Sequence, residues 1–179
     1  MQHSLYAVVC CKTFEKKPLD IKIDIREIIQ LKDFELGWRF EKTHNSDISE
    51  REKSLINPVS EMESKRLTKV IDYFENEDIL RDNYTQSDWI SANTENDEKI
   101  ERFRKVLEIA LEKCNEELFL TWHRTITLKT TKEIFIKYWS YFLYSSSDDV
   151  TIISKKTNWV IFYRHFEVAN IWKRNNLNE

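Results

Sequence analysis

Four histidines, His3, His44, His123 and His165, are the side chains best suited to proton transfer, and they are scattered along the chain. No pair has HxxxH spacing, and Cys10, Cys11 and Cys114 form no CxxC, so the sequence contains no zinc-ligand pattern. Two histidines with an arginine suit a different chemistry. In metal-free cleavage of RNA one imidazole takes a proton, the other donates one, and a guanidinium stabilises the phosphorane charge. His123 is the candidate. It shares the odd-numbered face of an alternating segment with Thr121, Thr125 and Thr127, and a neighbouring strand would bring His165 and Tyr163 beside it, with Arg124 or Arg164 supplying the cation. The same residues also fit a polar sheet face with hydrogen-bonded histidines.

A second constellation is acidic. From Glu75 to Glu101, Asp82, Asp88, Glu95, Asp97 and Glu98 surround Tyr84 and Trp89 with few bases between them. A helix start near Asp97 accounts for Glu95, Asp97 and Glu98 through the dipole at its N-terminus. It does not account for aromatic rings amid the charge. Carboxylates steer a basic partner and rings supply desolvated contact area, so this stretch reads as a binding surface, with Tyr84 and Trp89 as anchors and the five acids as steering charges. No spacing among these carboxylates selects a magnesium ion.

One residue type excludes much else. Gly37 is the only glycine in 179 residues, so GxGxxG, GxxxxGK[ST] and GxSxG are all absent. Loops that press backbone N–H groups against phosphates need several residues free of Cβ. A net charge of −3 provides no general field for nucleic acid. No apolar run approaches the roughly 20 residues that span a bilayer. The start of the chain has no basic leader or small-residue cleavage site, and three cysteines without pairing pattern suit a reducing cytosol, so the expectation is a soluble cytoplasmic protein without cofactor.

The elements that must position these residues follow from periodicity. Ser4–Cys11 and the alternating Leu19–Arg26 read as an N-terminal hairpin. A short helical turn ends at Gly37, where a left-handed residue is useful. Ser49 with Glu52, and Ser60 with Glu63, have capping-box spacing at the starts of two helices, and Asn57-Pro58 stops the first. Leu67, Val70, Ile71 and Phe74 form the buried face of the second. Glu75 to Asn96 reads as a long ordered loop. A helix from about Asp97 to Cys114 faces Ile100, Phe103, Leu107, Ala110 or Leu111, and Cys114 inward, with Glu98–Arg102 and Glu101–Lys105 as outer pairs. Apolar even positions from Leu118 to Leu128 make one strand, in which Arg124 is either turned out by a bulge or buried with a partner. Thr130 opens an enclosed helix through Tyr144; Val150–Ser154 and Trp159–His165 form a hairpin; Phe166–Arg174 fits strand or helix, and the last residues fray. The expected class is α+β: a single domain over 1–179 with a mostly antiparallel sheet, about four helices, a β extension over 1–27 and a loose tail over 175–179.

Leu31-Lys32-Asp33-Phe34 with Trp38-Arg39-Phe40, the stretch Ser49–Leu67 containing Ile56-Asn57-Pro58, Tyr84–Trp89, and Trp139-Ser140-Tyr141-Phe142-Leu143 with Asp148-Asp149 resemble, in order and spacing, a bacterial family catalogued as domain of unknown function 2947. The resemblance implies a small bacterial α+β protein and supplies no catalytic residues. A wider similarity is to immunity proteins of contact-dependent growth inhibition and other polymorphic toxin systems, which are often small, acidic, cytosolic and without catalytic motifs. It implies a cognate toxin as partner, a basic nuclease, inhibited by carboxylates and aromatics placed where phosphates and bases would sit. The leading expectation is thus a non-catalytic immunity protein, monomer or weak dimer, touching neither nucleic acid nor membrane. Its rivals are a metal-independent nuclease using His123 and His165, and a regulatory subunit.

Overall fold

Unbroken apolar runs such as Trp159–Tyr163 suit strands covered on both faces, and helices with one apolar stripe suit the layers that cover them. A computed structural model describes residues 19–41, 47–74 and 77–175. Three 3-10 turns (Ile25–Glu27, Leu31–Asp33, Gly37–Phe40) precede α1 (Glu50–Lys53), β1 (Asn57–Pro58), α2 (Glu61–Phe74), α3 (Glu77–Asn83), β2 (Tyr84–Gln86) and β3 (Ile90–Ser91). Then come α4 (Asp97–Ala110), β4 (Glu117–His123), β5 (Ile126–Thr131), α5 (Lys132–Lys137), α6 (Trp139–Phe142), β6 (Val150–Ser154), β7 (Trp159–Arg164) and β8 (Val168–Arg174).

The strands form one antiparallel sheet in the order β1-β5-β4-β6-β7-β8-β2, with β3 also paired to β8. Alternation along each strand feeds two cores. Leu118, Leu120, Ile152, Trp159, Ile161 and Ile171 face α4, α5 and α6, while Phe119, Ile153, Val160, Phe162 and Trp172 face α2 and α3. The class is α+β, with helices on both sides of the sheet. No helix among the described residues is long and apolar enough to cross a membrane.

Several elements differ from the sequence expectations. The strand over Ser4–Cys11 and the tail beyond Asn175 lie outside the described residues, and Leu19–Arg26 joins no ladder: Ile21 N–H donates to Lys155 O and Ile25 is exposed at the start of a 3-10 turn. The expected loop over Glu75–Asn96 contains α3, β2 and β3. The single strand over Leu118–Leu128 is a hairpin, β4 and β5, with a register shift between Thr121 and His123; Arg124 sits in its turn, exposed. The helix expected from Thr130 begins after Thr131, whose hydroxyl accepts from Ile134 N–H, and breaks at Tyr138. Phe166–Arg174 contains a turn and the strand β8.

The caps divide. Ser49 and Glu52 close a complete capping box. At α2, Ser60 Oγ accepts from Glu63 N–H, but the Glu63 carboxylate accepts from Asp24 N–H and pairs with Arg66 instead of returning to its own cap. Glu101 pairs with Arg104, not Lys105. Gly37 is not left-handed, since no glycine has positive φ. It is required by proximity, because a Cβ there would lie 2.0 Å from Leu31 O.

Candidate functional site

The acidic-aromatic stretch forms an edge of the sheet. β2 pairs with Trp172–Arg174 and β3 with Val168–Ala169, so residues 84–91 run along β8. Between them Ser87 holds the backbone: its N–H donates to Ile171 O at 2.8 Å, its Oγ accepts from Ile171 N–H at 3.0 Å, and its carbonyl accepts from Asn170 Nδ2 at 3.3 Å. Asp88 and Trp89 project from that fixed segment, both exposed, Trp89 by 52%. Ala92 N–H donates to Glu167 O, and Thr94 N–H and Asn93 Nδ2 donate to the Glu167 carboxylate. These bonds lead the chain to Asn96, which caps α4 by accepting from Lys99 N–H.

The seven expected contact residues do not form one patch. Tyr84 is buried beside Phe74, with its hydroxyl donating to Thr157 O at 2.5 Å and Arg174 stacked 5.1 Å from its ring, so it is a core residue and not a surface anchor. Asp82 lies near the Arg174 end of β8, about 20 Å along the strand from the Val168 end, at about 3.4 Å per residue. Glu95, Asp97 and Glu98 lie beyond the Val168 end, at the start of α4. Glu95 is paired with Lys99, which lowers its pKa; Asp82, Asp88, Asp97 and Glu98 enter none of the ion pairs among the described residues. Periodicity misses Phe166, 63% exposed in the turn between β7 and β8. The available signal was an aromatic in the short polar gap between two apolar runs, His165-Phe166-Glu167.

Asp97 also opens a groove between α4 and α5–α6. This space of about 740 Å³ is floored by Ile100, Ile136, Tyr138 and Tyr141, with Asp97 and Glu108 among its carboxylates. The two tyrosine rings stack at 6.0 Å and 21°. Its cations Arg104, Lys132 and Lys137 lie beside Glu101, Glu133 and Glu52, which leaves Asp97 and Glu108 as carboxylates along α4 that enter none of the ion pairs among the described residues.

The histidines are not brought together. β6 lies between β4 and β7, which separates His123 from His165 across the sheet. The His165 ring and backbone N–H both meet Asp149 Oδ1 at 3.0 Å. Tyr163 turns into the core facing α4–α6, where burial pushes its phenol far above the ordinary value. His3 and His44 lie outside the described residues. Among the described residues no group of three or more His, Cys, Asp or Glu is placed to hold a metal ion.

Two short motifs, Trp38-Arg39-Phe40 and Asp148-Asp149, meet in the interior. Arg39 donates to both oxygens of Asp148, and the same carboxylate accepts from Trp122 Nε1 at 3.1 Å, Tyr144 N–H at 3.0 Å and Ser147 Oγ at 2.9 Å. The guanidinium lies 4.6 Å from the Tyr144 ring. So fully bonded a carboxylate has no acceptor left for a ligand, although Arg39 Nε–H is buried without a partner among the described residues. It fixes the loop that follows α6.

A family model described as Protein of unknown function (DUF2947) matches residues 28–170. No curated protein and no solved structure matches the chain.

Proposed function

The chain belongs to the DUF2947 family of proteins of unknown function, and from that premise we propose that it is a bacterial immunity protein, which binds a cognate toxin domain and neutralises it by covering its active site or substrate surface. The observation that carries this reading is Trp89. A large ring held half in water on a backbone pinned by Ser87, next to Asp88, which has no ion-pair partner among the described residues, costs solvation that a partner would recover. Phe166 at the neighbouring turn extends the apolar contact, and Asp97 and Glu98 continue the negative charge to the mouth of the α4 groove. The partner this surface fits is basic, with an apolar or aromatic pocket for Trp89. A nuclease domain has that character, because its own substrate is a polyanion. Occlusion by carboxylates requires no cofactor and no turnover.

The test is protection. Cells carrying the toxin domain encoded beside this gene should survive when the chain is co-expressed and die when it carries Trp89→Ala with Asp88, Asp97 and Glu98 reversed to lysine. Full protection by that variant would remove this surface from the reading. Absence of any toxin gene beside it, with no protection by the wild-type chain, would remove the reading itself.

A further inference from the structure

On the α2 side of the sheet, where β4 ends and β7 ends, a polar cleft of about 230 Å³ is lined by His123, Arg124, Arg164, Asp72, Asp149 and the threonines between them. Three elements deliver its cationic and imidazole groups: the end of β4 brings His123, the two-residue turn beyond it brings Arg124, and the last residue of β7 brings Arg164. We propose that this cleft binds a phosphate-type oxyanion.

The warrant is which groups are already used. Thr68 Oγ1 donates to Ser64 O and Arg124 O, and Thr121 Oγ1 donates to His123 O and Ile126 O, so these hydroxyl protons are spent on holding the turn in place. Asp149 accepts from the backbone and ring of His165. Donor capacity remains unused beside them. Among the described residues the Arg164 guanidinium makes no hydrogen bond or close ion pair; it lies over the Phe162 ring at 5.5 Å and feels the Asp149 charge at longer range. The His123 ring makes none either, and the closest approach of Arg124 to Asp72 is 3.7 Å, too long for a hydrogen bond.

Donors converging from three directions suit a tetrahedral anion, which presents an oxygen to each, better than a planar carboxylate, which presents two. Asp72 and the Oδ2 side of Asp149, which takes neither bond from His165, are the carboxylates that oppose it. With His165 held by Asp149, His123 is the one imidazole among the cleft's lining residues, and its part here is to donate to the bound anion.

The experiment is a titration of the labelled full chain, at constant ionic strength, with inorganic phosphate, with 5′-AMP and with adenosine, following the Arg164 Nε–H and His123 ring signals by NMR. Saturable shifts are expected with phosphate and with 5′-AMP, and none with adenosine. Equal affinity assigns the site to the phosphate group alone; tighter 5′-AMP assigns it to a nucleotide-borne phosphate. Arg164→Gln should weaken binding roughly tenfold or more, and Arg164→Lys less, as expected for loss of charge-assisted hydrogen bonds. Asp72→Asn should tighten it. Thermal unfolding without phosphate should be unchanged in all three variants, which separates lost binding from lost fold. Linear shifts without saturation, or affinity unchanged in both Arg164 variants, would overturn the proposal.

Discussion

Asp148 receives the Arg39 guanidinium end-on, Nη1 to Oδ2 at 2.5 Å and Nη2 to Oδ1 at 3.0 Å, with both side chains about 5% exposed. Burial alone would raise the Asp148 pKa; the bonds from Arg39 and from Tyr144 N–H outweigh it and hold the carboxyl below its ordinary value. Removing one partner strands the other charge in the interior. Asp148→Asn should cost about 3–5 kcal/mol in urea unfolding, whereas Arg39→Met with Asp148→Leu should recover much of that loss. A folded-state pKa below the unfolded one means the contribution is complete above the ordinary carboxylate value of 3.8 and is lost as pH falls through the lower folded value.

Gly37 and Leu31 set a steric limit. The Cβ of Gly37→Ala would meet Leu31 O at 2.0 Å, so the two 3-10 turns must separate. Thermal unfolding should register a loss of about 1–3 kcal/mol, the usual range for overpacking. A left-handed requirement would instead be relieved by Gly37→Asn, which is expected to be at least as damaging as alanine here.

Tyr84 and Trp89, alike in composition and five residues apart, should separate in function. Tyr84→Phe loses the bond to Thr157 O and should cost about 1 kcal/mol of stability with partner affinity unchanged. Trp89→Ala should leave the unfolding midpoint in place and cost about 2 kcal/mol or more of binding, as a hot-spot ring does.

Glu52 ties three elements. It completes the α1 capping box with Ser49 and accepts from Lys137 Nζ at 2.6 Å and Tyr138 hydroxyl at 3.0 Å; the Lys137 bond first, then Ser49, hold its pKa down to about 2. Its contribution should be complete above 4.5 and fade as pH falls toward 2, and Glu52→Gln should flatten that part of the acid-unfolding curve.

Local pattern was enough for α2, α4 and the β6–β7 hairpin, whose apolar periods and turn are contained within a few residues of chain. It failed where a reversal preserves parity. Arg124 and Thr125 form a two-residue turn that alone would pair odd with even positions, and the register shift between Thr121 and His123 restores even with even, so Leu118, Leu120, Trp122, Ile126 and Leu128 stay in one row through the hairpin, and no glycine, proline or asparagine marks it. The break at Tyr138 is hidden similarly inside a continuous helical stripe. β2 and β3 are two or three residues long and exist because β8, some eighty residues later, offers its edge. That same long-range pairing turns Tyr84 inward and Trp89 outward, a distinction no local count of charges and rings contains.

The most direct measurement of the central claim is the association rate of this chain with the toxin domain encoded beside it, followed as a function of salt. If Asp88, Asp97 and Glu98 steer a basic partner onto Trp89, the wild-type rate should fall steeply as salt screens the surface, and the triple lysine variant should associate slowly with little salt dependence. Identical rates and identical salt slopes for the two proteins would contradict it.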